Sequence, residues 1–222
     1  MNIFNIIGPR MIGPSSSHTA GAVRLGRVAN KIMHGDKPKK VTIQISGSFA
    51  TTYKGHGTDR ALIAGILGYD SDDIEIRDIF EIAKEQQLEY QFIPTNIPDS
   101  HPNTARIMFE CHGGRTGEVL GASVGGGNIR IYNINGMNVD FAGDNSTILV
   151  IHNDTPGVIA EVTNLLRKEY KDMNICDFNL TRREKGGEAL MTIELDNPPP
   201  LDAKEKIQNL DNVNNVIVIN KI

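Results

Sequence analysis

With 222 residues, 39% of them hydrophobic and 23% charged, the chain has enough apolar matter for one or two globular domains and too much for a disordered one. Its 23 basic and 27 acidic residues are interspersed to a formal net charge of -4, which leaves no basic footprint for nucleic acid. No stretch approaches the roughly 20 apolar residues of a membrane span, the N-terminus lacks the basic and then apolar pattern of a signal peptide, and a cytoplasmic location is expected.

The first motif in chain order is GPSSSHT, which carries Ser16, Ser17 and His18. Ser17 or Thr19 is placed to begin a helix running to about His34, because Val23, Ala29, Ile32 and Met33 recur at nearly helical spacing. KPKK at 37 to 40 reads as a solvated turn before the strand KVTIQISG. GHGTDRALIAGIL is a second helical region, with Asp59 near its start and Leu62, Ile63, Ile66 and Leu67 on one apolar side. Gly55 and Gly57 bracket His56 there and mark a helix break or a cap. Residues 78 to 87 read as a short helix, followed by strands around 89 to 93, 105 to 111, 116 to 124 and 128 to 134. DSHPNT, with His101 and Asn103, leads into the second of these strands. Between the last two lies SVGGGN, where Ser123 is followed by Gly125, Gly126 and Gly127. Successive glycine amides can turn toward one point and make a nest for a carboxylate, although a lone glycine run is more often a hairpin turn. A phosphate loop is disfavoured, since no GKS or GKT follows and a strand comes next.

The pattern changes near residue 145. From Thr147 onward TILVIHN, PGVIAEVTNLLRKEY, MNICDFNLT, EALMTIEL, DAKEKIQNL and NVIVIN read as strand, helix, strand, strand, helix, strand. Asp154 or Thr155 can cap the first helix, Pro156 suits its first turn, and Val158, Val162, Leu165 and Leu166 make its apolar face. Arg182, Arg183, Glu184 and Lys185 before two glycines read as a solvated hairpin tip. The fold class expected is α+β, with domains over 1–145 and 147–222.

Three of the six histidines, His18, His56 and His101, sit among glycine, serine, threonine and asparagine instead of apolar neighbours. Imidazole changes charge near neutral pH and can take a proton in one step and return it in the next. Adjacent glycines let a backbone approach a ligand, and hydroxyls and amides orient a small polar substrate. Capping a helix or turn is the competing role for any one of them. None has a His or Cys partner at zinc-ligand spacing, so no metal ligands are assigned. His34, His112 and His152 lack this polar context and read as structural. Cys111 and Cys176 are far apart and read as reduced, packed thiols, too few for an iron-sulfur centre that takes three or four thiolates.

NDTPGVIAEV directly after a strand, and the element order over 147–222, resemble an ACT domain, a regulatory module with a ferredoxin-like βαββαβ sandwich. That resemblance implies effector binding, often of an amino acid, at Asn153, Asp154, Thr155, Pro156, Gly157 and Val158, and self-association through paired ACT domains. IGPSSSHTAGAVRLG, GHGTDRALIAGILG, DSHPNT and GASVGGGNI together resemble the beta subunit of the bacterial iron-sulfur L-serine dehydratase, along essentially the whole chain. The resemblance implies that 1–145 is a domain similar to the allosteric substrate-binding module of some phosphoglycerate dehydrogenases. It also implies a partner alpha subunit carrying a [4Fe-4S] cluster, and L-serine as substrate. In that frame His56 is the expected general base, with Asp59 near enough in sequence to orient it. His18 and His101 would bind the carboxylate or relay the proton, and Ser16, Ser17, Asn103, Ser123, Gly125 and Gly126 would bind substrate. A regulatory chain that senses serine without catalysis is the alternative; a pyridoxal enzyme is disfavoured, because no lysine lies in a comparable glycine and serine setting.

Overall fold

The computed structural model describes residues 9–222; residues 1–8, on which the signal-peptide expectation rests, lie outside the described residues. The chain splits into two compact units, Met1–Gly136 and Met137–Ile222.

In the first unit the order is α1 (Ala20–Met33), β1 (Pro38–Ile45), α2 (Ser48–His56), α3 (Thr58–Ile66), a 3-10 turn (Ile74–Asp78), α4 (Ile79–Glu85), β2 (Glu89–Pro94), β3 (Thr104–Cys111), β4 (Thr116–Gly125) and β5 (Asn128–Ile134). After a turn at Asn135 and Gly136 comes β6 (Met137–Phe141), and the sheet order is β2-β1-β3-β4-β5-β6. β1 pairs in parallel with β2 and antiparallel with β3, an arrangement set by the crossover between β1 and β2 through α2, α3 and α4. Val41, Ile43 and Ile45 of β1 and Ala105, Ile107 and Phe109 of β3 are buried at every second position, which pins the register. α1 ends where expected, at His34, whose left-handed φ of 61° stops the helix.

α1 and α3 cross at Gly26 and Gly65. A Cβ on Gly26 would lie 2.5 Å from the Leu62 carbonyl oxygen, and one on Gly65 would collide with the Val23 carbonyl oxygen. The two backbones meet because neither residue has a side chain there.

Two elements go beyond the sequence reading. SFATTYKGH is poor in helix formers and buries only Phe49, yet it forms α2, with the Phe49 amide donating to the Pro102 carbonyl at 3.3 Å. The other is β6, five residues whose inward Met137, Val139 and Phe141 alternate with exposed neighbours.

The second unit continues with β7 (Ser146–Asn153), α5 (Val158–Glu169), β8 (Ile175–Arg182), β9 (Glu188–Leu195), α6 (Ala203–Gln208) and β10 (Val213–Ile219). Its antiparallel sheet has the order β10-β7-β9-β8. Val158, Val162 and Leu166 of α5 and Ile207 of α6 pack on Ile148, Val150, Met191, Ile193 and Val216, so both helices share one face of the sheet. The division falls ahead of residue 145 for a local reason. Asn145 Nδ2 donates to Glu194 at 3.3 Å and the Ile222 amide donates to the Gly143 carbonyl at 3.1 Å, which ties this stretch to the second unit.

α5 starts later than its sequence suggests. Gly157, at φ 101°, is the residue before the helix, Pro156 stays outside, and neither Asp154 nor Thr155 caps. Asp154 is occupied elsewhere: its carboxylate accepts from Arg182 at 2.8 Å and from the Gly186 amide at 2.9 Å. Arg182 is therefore an ion-pair partner, not merely a solvated charge at the hairpin tip. Among the described residues no helix is long and apolar enough to cross a membrane.

Candidate functional site

His18 lies in the turn before α1, is 8% exposed, and has both ring nitrogens engaged. Nδ1 lies 3.4 Å from Ser15 Oγ, while Nε2 lies 3.3 Å from Ser48 Oγ and 3.1 Å from Thr52 Oγ1. Thr52 already donates its own proton to the Ser48 carbonyl at 2.8 Å, so its oxygen accepts from His18 Nε2–H. Nδ1 is then the acceptor. Burial, and secondarily the neighbouring His56, hold the His18 pKa below its ordinary value, which keeps this tautomer neutral.

His56 is the exposed last residue of α2, between Gly55 and a left-handed Gly57 at φ 71°. Its ring meets His18 edge to face, with centroids 4.7 Å apart, so two motifs 38 positions apart in the chain form one imidazole pair. The expected orienting role of Asp59 takes another form. Its Oδ1 accepts from the Arg60 amide at 2.8 Å, and its carboxyl pKa is raised, chiefly by burial.

His101 is half-buried in the loop before β3, and its Nδ1 accepts from the Asn103 amide at 3.1 Å. With Nδ1 as acceptor, Nε2 is the ring nitrogen left to carry a proton. The same loop is fastened to α2, since a Cβ on Gly47 (φ 60°) would meet the Pro102 carbonyl oxygen at 2.5 Å. Because Ser48 follows Gly47 and touches His18, the HPNT loop and the SSSHT turn meet at the start of α2.

The remaining expected residues divide. Ser16 and Ser17 are half-buried in the turn with His18, and Ser16 gives its carbonyl to the Gly21 amide at 2.9 Å. Asn103 Nδ2 donates to the Ser123 carbonyl at 3.4 Å, and its buried Oδ1 has no partner among the described residues. Ser123 is fully buried, with its hydroxyl against Gly21 of α1, so it packs the helix onto β4 instead of facing a ligand. Gly125, Gly126 and Gly127 have φ values of 109°, 62° and 86°, an unbroken positive run that suits a tight hairpin and lacks the alternating handedness of an anion nest. The Gly127 carbonyl there receives Arg24 at 2.9 Å.

Ser15, Ser48 and Thr52 are contacts of His18 that sequence reasoning passed over. The available signal was the S-x-x-x-T spacing on α2, which puts Ser48 and Thr52 on one helix face.

In the second unit Asn153 is held by Asn214 Nδ2 at 3.1 Å, and its amide donates to the Asn212 carbonyl at 2.9 Å. Asp154 has its pKa lowered by the Gly186 amide first and by Arg182 second. Thr155, Pro156 and Gly157 are exposed, and Val158 is buried in the core. His152 is only 2% exposed and gives Nδ1–H to the Asn153 carbonyl at 2.8 Å, which makes it structural as expected.

Cys111 is buried and Cys176 exposed, in different units, and burial pushes both thiols up. Among the described residues no three His, Cys, Asp or Glu side chains gather as a metal site. Two thiols in different units are fewer than the three or four that an iron-sulfur cluster takes.

A family profile described as "Serine dehydratase beta chain" matches residues 1–110. The L-serine dehydratase beta chain of Peptoniphilus asaccharolyticus is 43% identical over 210 residues, covering 94% of this chain and 93% of that protein. The chain belongs to the serine dehydratase beta chain family. A second relative, the probable L-serine dehydratase beta chain of Bacillus subtilis, is 42% identical over 218 residues, 97% of either chain. The D-3-phosphoglycerate dehydrogenase of the same organism is 30% identical over 178 residues, 79% of this chain but 33% of that protein. As a serine dehydratase beta chain the protein is a subunit, and the imidazole pair and the HPNT loop lie in its first unit.

Proposed function

We propose that this chain is the beta subunit of an iron-sulfur L-serine ammonia-lyase, a cytoplasmic enzyme that converts L-serine to pyruvate and ammonia together with an alpha subunit. The observation that carries the reading is the convergence of SSSHT, GHG and the HPNT loop at α2, with an exposed His56 ring against a neutral, fully engaged His18. His56 takes the α proton of serine. The Cα–H electron pair becomes the second bond between Cα and Cβ as the Cβ–O bond breaks, and the hydroxyl leaves as water with the proton that His56 took from Cα, relayed through His101, so both rings end neutral as they began. The aminoacrylate left behind tautomerises and is hydrolysed to pyruvate and ammonia. His18 is the neutral ring against which His56 is positioned, and Asn103 Oδ1 is an acceptor for the substrate ammonium.

The alpha proton is poorly acidic and hydroxide is a poor leaving group, so a Lewis acid is called for. A [4Fe-4S] cluster on the alpha subunit supplies it in this reading, in keeping with the poverty of thiols here. The second unit is read as an ACT domain of ferredoxin-like topology, supported by its βαββαβ order, with the Asn153–Val158 turn as effector site and pairing between copies.

Anaerobic assembly with the alpha subunit tests the proposal. The complex is expected to form pyruvate from L-serine and the isolated chain to form none, and His56→Ala should lower turnover by at least the roughly 100-fold typical of lost acid-base catalysis. The similarity to a phosphoglycerate dehydrogenase favours one alternative, a serine-sensing subunit without chemistry. Serine binding by a complex that makes no pyruvate would select it.

A further inference from the structure

His56 also borders a cavity of about 300 Å³ lined in part by Gly13, Thr19, Lys54, Arg60 and Arg77. Its size is at the low end for ligand pockets and suits a molecule of few heavy atoms. Its wall is cationic. Lys54, Arg60 and Arg77 all line it, no aspartate or glutamate does, and the adjacent Asp59 offsets one of the three charges. Arg60 is held in place, donating to the Arg77 carbonyl at 2.8 Å with its guanidinium 5.7 Å from the centre of the Phe80 ring.

Thr19 borders the same cavity. Thr19 is 2% exposed, and its Oγ1 has no hydrogen-bond partner among the described residues. Gly13 covers that hydroxyl, so closely that a Cβ there would collide with Thr19 Oγ1. Like the Ser123 hydroxyl under Gly21, it is shut in, and the wall that a ligand meets is the cationic one.

We propose that this cavity is a carboxylate subsite, in which Arg60, Arg77 and Lys54 hold the carboxylate of the amino-acid substrate beside His56. The inference rests on the functional reading above and specifies which wall reads the acid. Guanidinium and ammonium donors match a carboxylate, and the charge-assisted bonds they form are the stronger kind. A carboxylate held here puts the adjoining Cα next to the ring that takes its proton. The recognition predicted is of an amino acid and not of an amino alcohol.

The test uses the chain assembled with its alpha subunit, with L-serine as substrate and acetate as a competing carboxylate. Arg77→Gln and Lys54→Gln, both at exposed positions, should each raise the KM for L-serine by about 10-fold, near 1.4 kcal/mol. Turnover at saturation should change less than KM, and inhibition by acetate should weaken in parallel. Unchanged KM and unchanged acetate inhibition in both charge variants would overturn the subsite, as would a loss confined to turnover. Should the parent complex make no pyruvate, the functional reading fails by itself. The cavity is then judged by nuclear magnetic resonance of the chain: acetate and L-serine should shift the His56 ring signals and L-serinol should not. Equal shifts with L-serinol, or none with acetate, would refute carboxylate recognition.

Discussion

His18 and His56 show how identical side chains acquire different work from their neighbours. The His18 ring is buried and bonded at both nitrogens, whereas the His56 ring stands at an exposed helix end. Since the folded His18 pKa is depressed, the unfolded chain takes up this proton first on acidification. Its share of stability is complete above the ordinary value of 6.5 and declines as pH falls below it. Denaturant titrations between about pH 8 and about pH 5 should therefore show a steeper loss for the parent than for His18→Asn, in which that proton uptake is gone. Equal slopes would mean that His18 is not held neutral. The sequence made these rings visible through their polar neighbours, but not their division of labour. That division depends on Ser48 and Thr52, which arrive from α2, a helix whose β-branched residues and glycine gave little helical signal.

Among the elements, the crossing of α1 and α3 determines where both histidine motifs sit, because GPSSSHT precedes one helix and GHG the other. Gly26→Ala places a methyl at the Leu62 carbonyl and must separate the helices. The expected cost is about 1–3 kcal/mol, the usual penalty for forcing volume into a packed contact, measured by urea unfolding. Gly65→Ala, whose methyl would meet the Val23 backbone, should cost no less. Periodicity located both helices and most strands of this unit to within a residue or two, because their apolar faces are regular. It missed β6, whose five residues are too short to show a period, and it overstated the glycine nest, because sequence does not give the sign of successive φ angles.

For the molecule as a whole, the three polar histidines and every residue of the cationic cavity precede Gly136. A chain ended at Asn145, combined with the alpha subunit, should thus retain measurable serine dehydration while its cooperativity, effector response or oligomeric size changes. Steady-state kinetics and light scattering decide it. Complete inactivity of a folded complex would show that the second unit takes part in the chemistry. The change of pattern near 145 lies some residues past the division at Gly136, and the ties of Gly143 and Asn145 to Ile222 and Glu194 were not legible, since such long-range bonds leave no mark on local sequence.

The Asp154 clasp has a consequence for motion. Its carboxylate takes the Gly186 amide and Arg182, and its own amide donates to the Gly187 carbonyl at 2.8 Å. The turn after β7 and the β8–β9 hairpin therefore cannot open separately without breaking the same set of bonds. In solvent-exchange terms the amides of Asp154 and Gly186 belong to one opening event and should trade their hydrogens for deuterium at one common rate, as members of a single cooperative unit.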